Sequence, residues 1–356
     1  MNIHIITIHH IHNFGSVFQA YCLQKYLSDL GNNVDIIDYR PSYYDAGRSR
    51  LKSVVGRLLN LCAYTKRKKK YERFISEFDN LSEKRFSEIN ELKEFYCNSN
   101  DFFIAGGDQL WNTYHPCGND DVYKLIFSNS PYKAAIGTSM GRNNQSNNEL
   151  QELAHKISDF KAVLLREKST VERFAEYTEV PCFHVIDPVG LVDPEHLKKM
   201  SIKSCLNAPY AVMYLADSGQ ALDECVRYLS QDMGLKIVHL CGFRKKCYCD
   251  LFEKDTGPRE LLGYILNADF VLSASFHATM FAIIFNKQFA TLLPHTQTNE
   301  RIESLLTYFG LEDRIIKSPV DVCKLNEKIN YVPVNEKLNC LIDLSKKEIN
   351  AVLSNR

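Results

Sequence analysis

The first 38 residues read strand, helix, strand, and that order restricts the fold more than any other feature of the sequence. Ile3 to Ile8 is a β-branched run of the kind that forms a buried strand. Phe14, Val17, Phe18, Tyr21 and Cys22 then recur at helical spacing until Gly31 can cap the helix. Val34-Asp35-Ile36-Ile37-Asp38 resumes as a strand. A helix joining two strands in this way makes them parallel, with a right-handed crossover. The pattern returns with strands at Phe102 to Ala105, Ala134 to Thr138, Ala162 to Leu165 and Phe183 to Ile186, and helices near Asn148 to Ser158 and Lys168 to Tyr177. After Pro194 and Pro209 a second series follows: Tyr210 to Leu215, Lys236 to Leu240, Phe270 to Leu272 and Phe289 to Leu293, with helices from Gln220, Pro258, His277 and Asn299. The expected class is α/β, with two Rossmann-like, doubly wound parallel-sheet domains. Their expected ranges are 1–195 and 205–334, with a further helix in 335–356, and a cleft between two such halves is a common place for a ligand.

At 356 residues the chain is long enough for two such cores. Lys plus Arg and Asp plus Glu both number 43, so the net charge is zero, which argues against a chain devoted to holding nucleic acid. The twelve cysteines are scattered, as expected for reduced core thiols, and Cys241, Cys247 and Cys249 lack the second matched pair of a zinc site. No metal is expected. MNIHIITIHHIHNFG lacks the features of a signal peptide, and no apolar run reaches the ~18 residues of a membrane span. A cytoplasmic location is the expectation.

Residues 46–97 differ in character and read as a helical insertion. Within 48–73 there are ten basic residues against one acidic, interleaved with Leu51, Val54, Val55, Leu58, Leu59, Leu61 and Tyr64. Such a segment suits peripheral contact with an anionic membrane at the inner face. The plainer reading, which we favour, is a helical pair packed by its apolar face with Lys66 to Lys70 in solvent.

In a doubly wound sheet the ligand lies beyond the carboxyl ends of the strands. The first strand is followed by His9, His10, His12, Asn13 and Gly15 at a helix start, and Phe102 to Ala105 by Gly106-Gly107-Asp108-Gln109-Leu110-Trp111-Asn112. Arg166-Glu167-Lys168-Ser169, Ser273-Ala274-Ser275-Phe276-His277, and His295, Asn299 and Arg301 follow later strands. There is no G-x-G-x-x-G after the first strand, no P-loop and no G-x-S-x-G, so dinucleotide, NTP and serine-hydrolase chemistry are unsupported. Arginine forks match phosphate and carboxylate, and a histidine can move a proton, so the set suits a small polyanion. The plain alternatives are a capping His277, salt-bridged arginines and a core Trp111.

Asn13-Phe14-Gly15-Ser16-Val17-Phe18-Gln19-Ala20-Tyr21, the Gly106 to Asn112 stretch, Leu165-Arg166-Glu167-Lys168-Ser169, Asp187-Pro188, Ser275-Phe276-His277-Ala278-Thr279 and Asn299-Glu300-Arg301-Ile302 together resemble the polysaccharide pyruvyl transferase family. They occur in the family's order within residues 3–315. The resemblance implies a GT-B-like fold and transfer of pyruvate from phosphoenolpyruvate, as donor substrate and without a cofactor, to a hexose of a surface polysaccharide or its lipid-linked precursor. The product would be a cyclic ketal. It further implies His277 as general acid, Asp108 as hydroxyl acceptor or base, and Arg166, Arg301, Ser275 and His277 around the donor. Asn13, Gly15, Gln109, Trp111 and Asn112 would face the acceptor, Trp111 as an apolar platform. Many members have an arginine where this chain has Ser275, another branch reads Ser-Phe-His as here, and Gln288 replaces the usual proline. The competing expectation on the same fold is a glycosyltransferase using a nucleotide sugar.

Overall fold

A computed structural model describes residues 1–46, 54–203, 206–215, 219–241, 248–293 and 299–355. The start of the basic segment, His295 and Cys247 lie outside them. The chain divides into two compact units, the first made of Met1–Gly56, Ile75–Val192 and Asn339–Arg356, the second of Arg57–Phe74 and Asp193–Leu338.

The first unit carries β1 (Asn2–Ile6), α1 (Phe14–Asp29), β2 (Asn33–Tyr39), α2 (Tyr43–Ala46), the end of α3 (Val54–Phe78), β3 (Leu81–Phe86), α4 (Ile89–Tyr96) and β4 (Phe102–Gly106). Then follow β5 (Lys133–Thr138), α5 (Asn147–Lys156), β6 (Ala162–Leu165), α6 (Lys168–Phe174) and β7 (Cys182–His184). The sheet order is β3-β2-β1-β4-β5-β6-β7 with every pairing parallel. Parallel strands are covered on both faces, which is why Phe102–Gly106 is buried throughout. The strand order reverses between β1 and β4, and this switch point opens at the carboxyl ends of both strands.

The second unit carries α7 (Pro194–Met200), β8 (Tyr210–Tyr214), α8 (Gln220–Arg227), β9 (Lys236–Leu240), β10 (Leu251–Glu253), α9 (Pro258–Asn267) and β11 (Phe270–Ser273). It continues with α10 (Phe276–Ile284), β12 (Gln288–Leu292), α11 (Glu300–Phe309), β13 (Ile315–Ile316) and α12 (Tyr331–Ser354). Its order is β10-β9-β8-β11-β12-β13, again all parallel, with the reversal between β8 and β11. The later part of α12 belongs to the first unit, where Ser345 Oγ accepts from Ile186 N at 2.8 Å.

Residues 57–74 of α3 cluster with the second unit. Tyr71 and Phe74 are buried, while Lys66, Lys69 and Arg73 are exposed. Lys70 Nζ lies 3.1 Å from Glu260 Oε1 and 3.8 Å from Asp255 Oδ1. A Cβ on Gly257 would lie 2.7 Å from Lys70 Cβ, so only glycine lets α3 approach this closely. The described part of the basic run therefore has one packed face and one solvated face. Among the described residues no helix is long and apolar enough to cross a membrane.

Candidate active-site constellations in the two units

In the first unit the residues after β1 and β4 meet at the switch point. Asn13 caps α1, its Oδ1 accepting from Gly15 N at 2.9 Å and Ser16 N at 3.4 Å. One turn in, Ser16 donates its hydroxyl to Asp108 Oδ2 at 2.5 Å, and Gln109 N donates to Asp108 Oδ1 at 2.8 Å. The loop after β4 turns sharply, with Gly107 at φ +64° and Asp108 at +49°. For Asp108 this left-handed conformation costs about 1–3 kcal/mol, and such strain concentrates at functional sites. It is held by Ser139 N donating to Asp108 O at 2.9 Å. A Cβ on Gly107 would run into Gln19 Oε1, and Gln19 is itself fixed by Nε2 donating to Thr7 Oγ1 at 2.9 Å and Ser16 O at 2.8 Å. Gln109 Oε1 accepts from Asn112 Nδ2 at 2.8 Å. Asn13, Gly15, Asp108, Gln109 and Asn112 thus form one hydrogen-bonded group.

Two expected members do not present themselves as the sequence suggested. Trp111 is 2% exposed, packs among core residues and donates Nε1–H to Tyr123 O at 2.9 Å. This burial is what the core reading expects of the side chain. Arg166 has a fully buried side chain, with Nη1 2.5 Å from Asp187 Oδ2 and Nε 3.3 Å from Glu167 Oε1. Burial works against its charge, and Asp187, Glu167 and Asp108 more than offset this, holding its pKa above the ordinary value. A guanidinium matched by carboxylates is an internal ion pair beneath the loop, which corrects the expectation of an open phosphate holder. Of the histidines after β1, His9 is buried with Nε2 3.0 Å from Asp38 Oδ1, and His10 stands edge-on to Tyr44 at 5.2 Å.

In the second unit, Ser273 Oγ at the end of β11 donates to Tyr214 O at 3.0 Å and accepts from Ser275 N at 2.9 Å, tying the turn to the neighbouring strand end. Ser275 caps α10, accepting from Ala278 N at 3.5 Å. His277 follows in the first turn, 5% exposed, its ring edge-on to Phe276 with centroids 5.2 Å apart. Arg301, in the first turn of α11, carries its guanidinium carbon 5.8 Å from the centroid of the same Phe276 ring. Phe276 therefore joins a histidine and an arginine at the positive ends of two helices that follow adjacent strands, an arrangement that favours an anion. Among the described residues no group of three or more His, Cys, Asp or Glu side chains could hold a metal ion.

The sequence reading missed Ser16 and Gln19 as site residues, although polar side chains in the first turns of a largely apolar buried helix were the signal. It also did not assign Glu167 and Asp187 to Arg166. An ion pair across 21 positions has no local periodicity to announce it.

Solved structures similar to this chain include a putative UDP-N-acetylglucosamine 2-epimerase from Listeria monocytogenes, 10% identical with TM-score 0.56, covering 98% of this chain and 97% of the other. The UDP-GlcNAc 2-epimerase of Neisseria meningitidis bound to UDP-GlcNAc is 10% identical with TM-score 0.54 and full coverage of both chains. A Rickettsia africae glycosyltransferase is 12% identical with TM-score 0.51, covering 100% and 99%. At these identities the likeness establishes the GT-B fold alone. No match was found among curated proteins. The polysaccharide pyruvyl transferase family profile matches residues 13–296, from the cap of α1 to beyond β12, taking in the first constellation and Ser275, Phe276 and His277 of the second but not Arg301. By that match, over most of its length, the chain belongs to the polysaccharide pyruvyl transferase family.

Proposed function

We propose that the protein moves pyruvate from phosphoenolpyruvate onto two hydroxyls of one hexose as a cyclic ketal, with His277 as the proton donor. The observation that carries this reading is the placement of His277 and Arg301 about one Phe276 ring, with Ser275 and His277 directly after β11 at the switch point of the second sheet. The enol ester must gain a proton at its methylene carbon to become electrophilic, and a positioned imidazole supplies such a proton with gains of about 10²–10⁴. Protonation turns the carbon bearing phosphate and carboxylate into an oxocarbenium-like centre. One sugar hydroxyl adds to it and loses its proton; phosphate then leaves, and the second hydroxyl closes the ring.

Arg301 is assigned to the donor's carboxylate or phosphate, helped by the positive end of α10 capped by Ser275. Asp108, an acceptor-only carboxylate steadied by Ser16 and Gln109 N, is assigned on chemical grounds to the acceptor hydroxyl, with Asn13, Gln109 and Asn112 shaping its loop. Arg166 is given a positioning part beneath that loop and no donor contact.

The experiment is to follow phosphate release from phosphoenolpyruvate with and without acceptor glycan, and to look for a product heavier by pyruvate less water. In D2O the ketal methyl should carry one deuterium. His277→Ala should lower turnover by about 10²–10⁴. Full turnover in that variant, or turnover of a UDP-sugar in place of phosphoenolpyruvate, would overturn the assignment.

A further inference from the structure

The loop that carries Asp108 has a second side. Ser139, whose N–H holds Asp108 O, also accepts from Trp111 N at 3.2 Å. Just beyond, Trp111, Met140, Leu150 and Leu153 form the apolar floor of a cavity of about 330 Å³ within the first unit. That volume lies in the range of about 300–1,000 Å³ usual for small-ligand sites.

The cavity wall carries charge of both signs, and each charge is already matched. Lys124 Nζ donates to Gly118 O at 2.9 Å and Asp120 O at 3.1 Å and lies 3.8 Å from Asp121 Oδ1. Lys156 Nζ lies 2.9 Å from Asp121 Oδ1 and 3.0 Å from Glu152 Oε1. Glu149 Oε1 is 2.5 Å from Arg142 Nη2 and accepts from the Thr113 hydroxyl at 2.6 Å. A phosphate or an ammonium ion would bring an unmatched charge to this wall, whereas a neutral molecule would not.

Gln145 supplies the second observation. It lines the cavity and is 5% exposed, and its Nε2 donates to Arg142 O at 2.6 Å. Its Oε1 is buried and accepts no hydrogen bond among the described residues. A buried acceptor left in this state is unfavourable, and a small turn of the side chain towards the cavity would let a ligand hydroxyl supply the missing hydrogen bond. An apolar floor, a neutral balance of charges and a waiting amide oxygen match a ring with one apolar face and several hydroxyls.

We propose that this cavity is a second glycan subsite that takes a neutral sugar ring of the acceptor chain, adjacent to the sugar presented at Asp108. The link to Asp108 rests on the pyruvyl-transfer reading, while sugar binding by the cavity can be measured without turnover. The test is direct binding, by calorimetry or saturation-transfer NMR, of methyl glycosides of one, two and three neutral hexoses to the full chain. Two variants accompany it, Asn119→Trp, which fills the rim from an exposed position, and Gln145→Met, which removes the amide oxygen; unfolding midpoints confirm that both fold.

The expected result is at least tenfold tighter binding of the longer glycosides to the wild type. In both variants this preference should collapse to the monosaccharide level, with the monosaccharide affinity as internal reference. Equal affinity for all three lengths, an undiminished preference in both variants, or tighter binding of a glucuronate-bearing disaccharide than of its neutral counterpart overturns the proposal. If length-dependent binding is present and no acceptor releases phosphate from phosphoenolpyruvate, the subsite stands and the pyruvyl-transfer reading falls.

Discussion

Arg166 and Arg301 each follow a strand of a parallel sheet, and in the sequence they look alike; in the structure they differ in every respect that matters to an anion. Arg166 has its side chain shut away between Asp187 and Glu167. Arg301 is half-buried, in the first turn of a helix, with its guanidinium near the Phe276 ring. What separates them is the company supplied by the fold. Carboxylates that reach a buried guanidinium convert it from a ligand-binding group into a structural one, because removing either partner leaves a charge in a region of low dielectric.

The sharpest way to break this comparison is Arg166→Met. It leaves Asp187 and Glu167 without their cation, and unfolding by denaturant should show a loss of about 3–5 kcal/mol. A variant as stable as the wild type would mean that Arg166 is as available to ligand as Arg301. Arg301→Ala should do the opposite. The phosphoenolpyruvate KM should rise by about ten- to a hundredfold, the worth of a charge-assisted hydrogen bond, with stability changed by less than ~1 kcal/mol. A large stability loss with unchanged KM would exchange the two roles.

Arg142 with Glu149 gives a third, smaller case. Burial pushes the Glu149 carboxyl up, but hydrogen bonds from Thr113 and Ser146 and the charge of Arg142 prevail and hold it down at about 2, against an ordinary 4.5. Since the folded-state value lies below the unfolded one, this stabilisation is complete above pH 4.5 and is lost as pH falls towards 2. The pair is partly exposed, so the effect should stay under about 1 kcal/mol. Glu149→Gln should flatten the stability profile over that interval, lowering stability by up to that amount at neutral pH and leaving it unchanged near pH 2.

The parallel-sheet plan was readable because strands such as Phe102–Gly106 and Phe270–Ser273 are buried throughout and apolar over nearly all their length. The strand-end residues followed from it. β3, Leu81–Phe86, was not readable: as an edge strand with Glu83, Lys84 and Arg85 exposed, it shows no apolar alternation, and its polar residues merge into the basic segment before it. β10 is hidden for the same reason, being three residues long at the opposite sheet's edge. His277 and Asp108 could be picked out because helix starts and glycine turns are local features. Whether Trp111 faces the core or a ligand depends on Tyr123 O, twelve positions away, and that is decided by packing alone.

Neither unit is continuous in sequence, and this has a consequence for synthesis. The first unit is completed only when residues 339–356 arrive, although its last strand ends at His184. At about 5–20 residues per second, Ser345 leaves the ribosome roughly eight to thirty seconds after Val192. Throughout that interval the Ile186 amide lacks the hydroxyl that will accept its hydrogen bond, and the nascent first unit is not yet a finished domain.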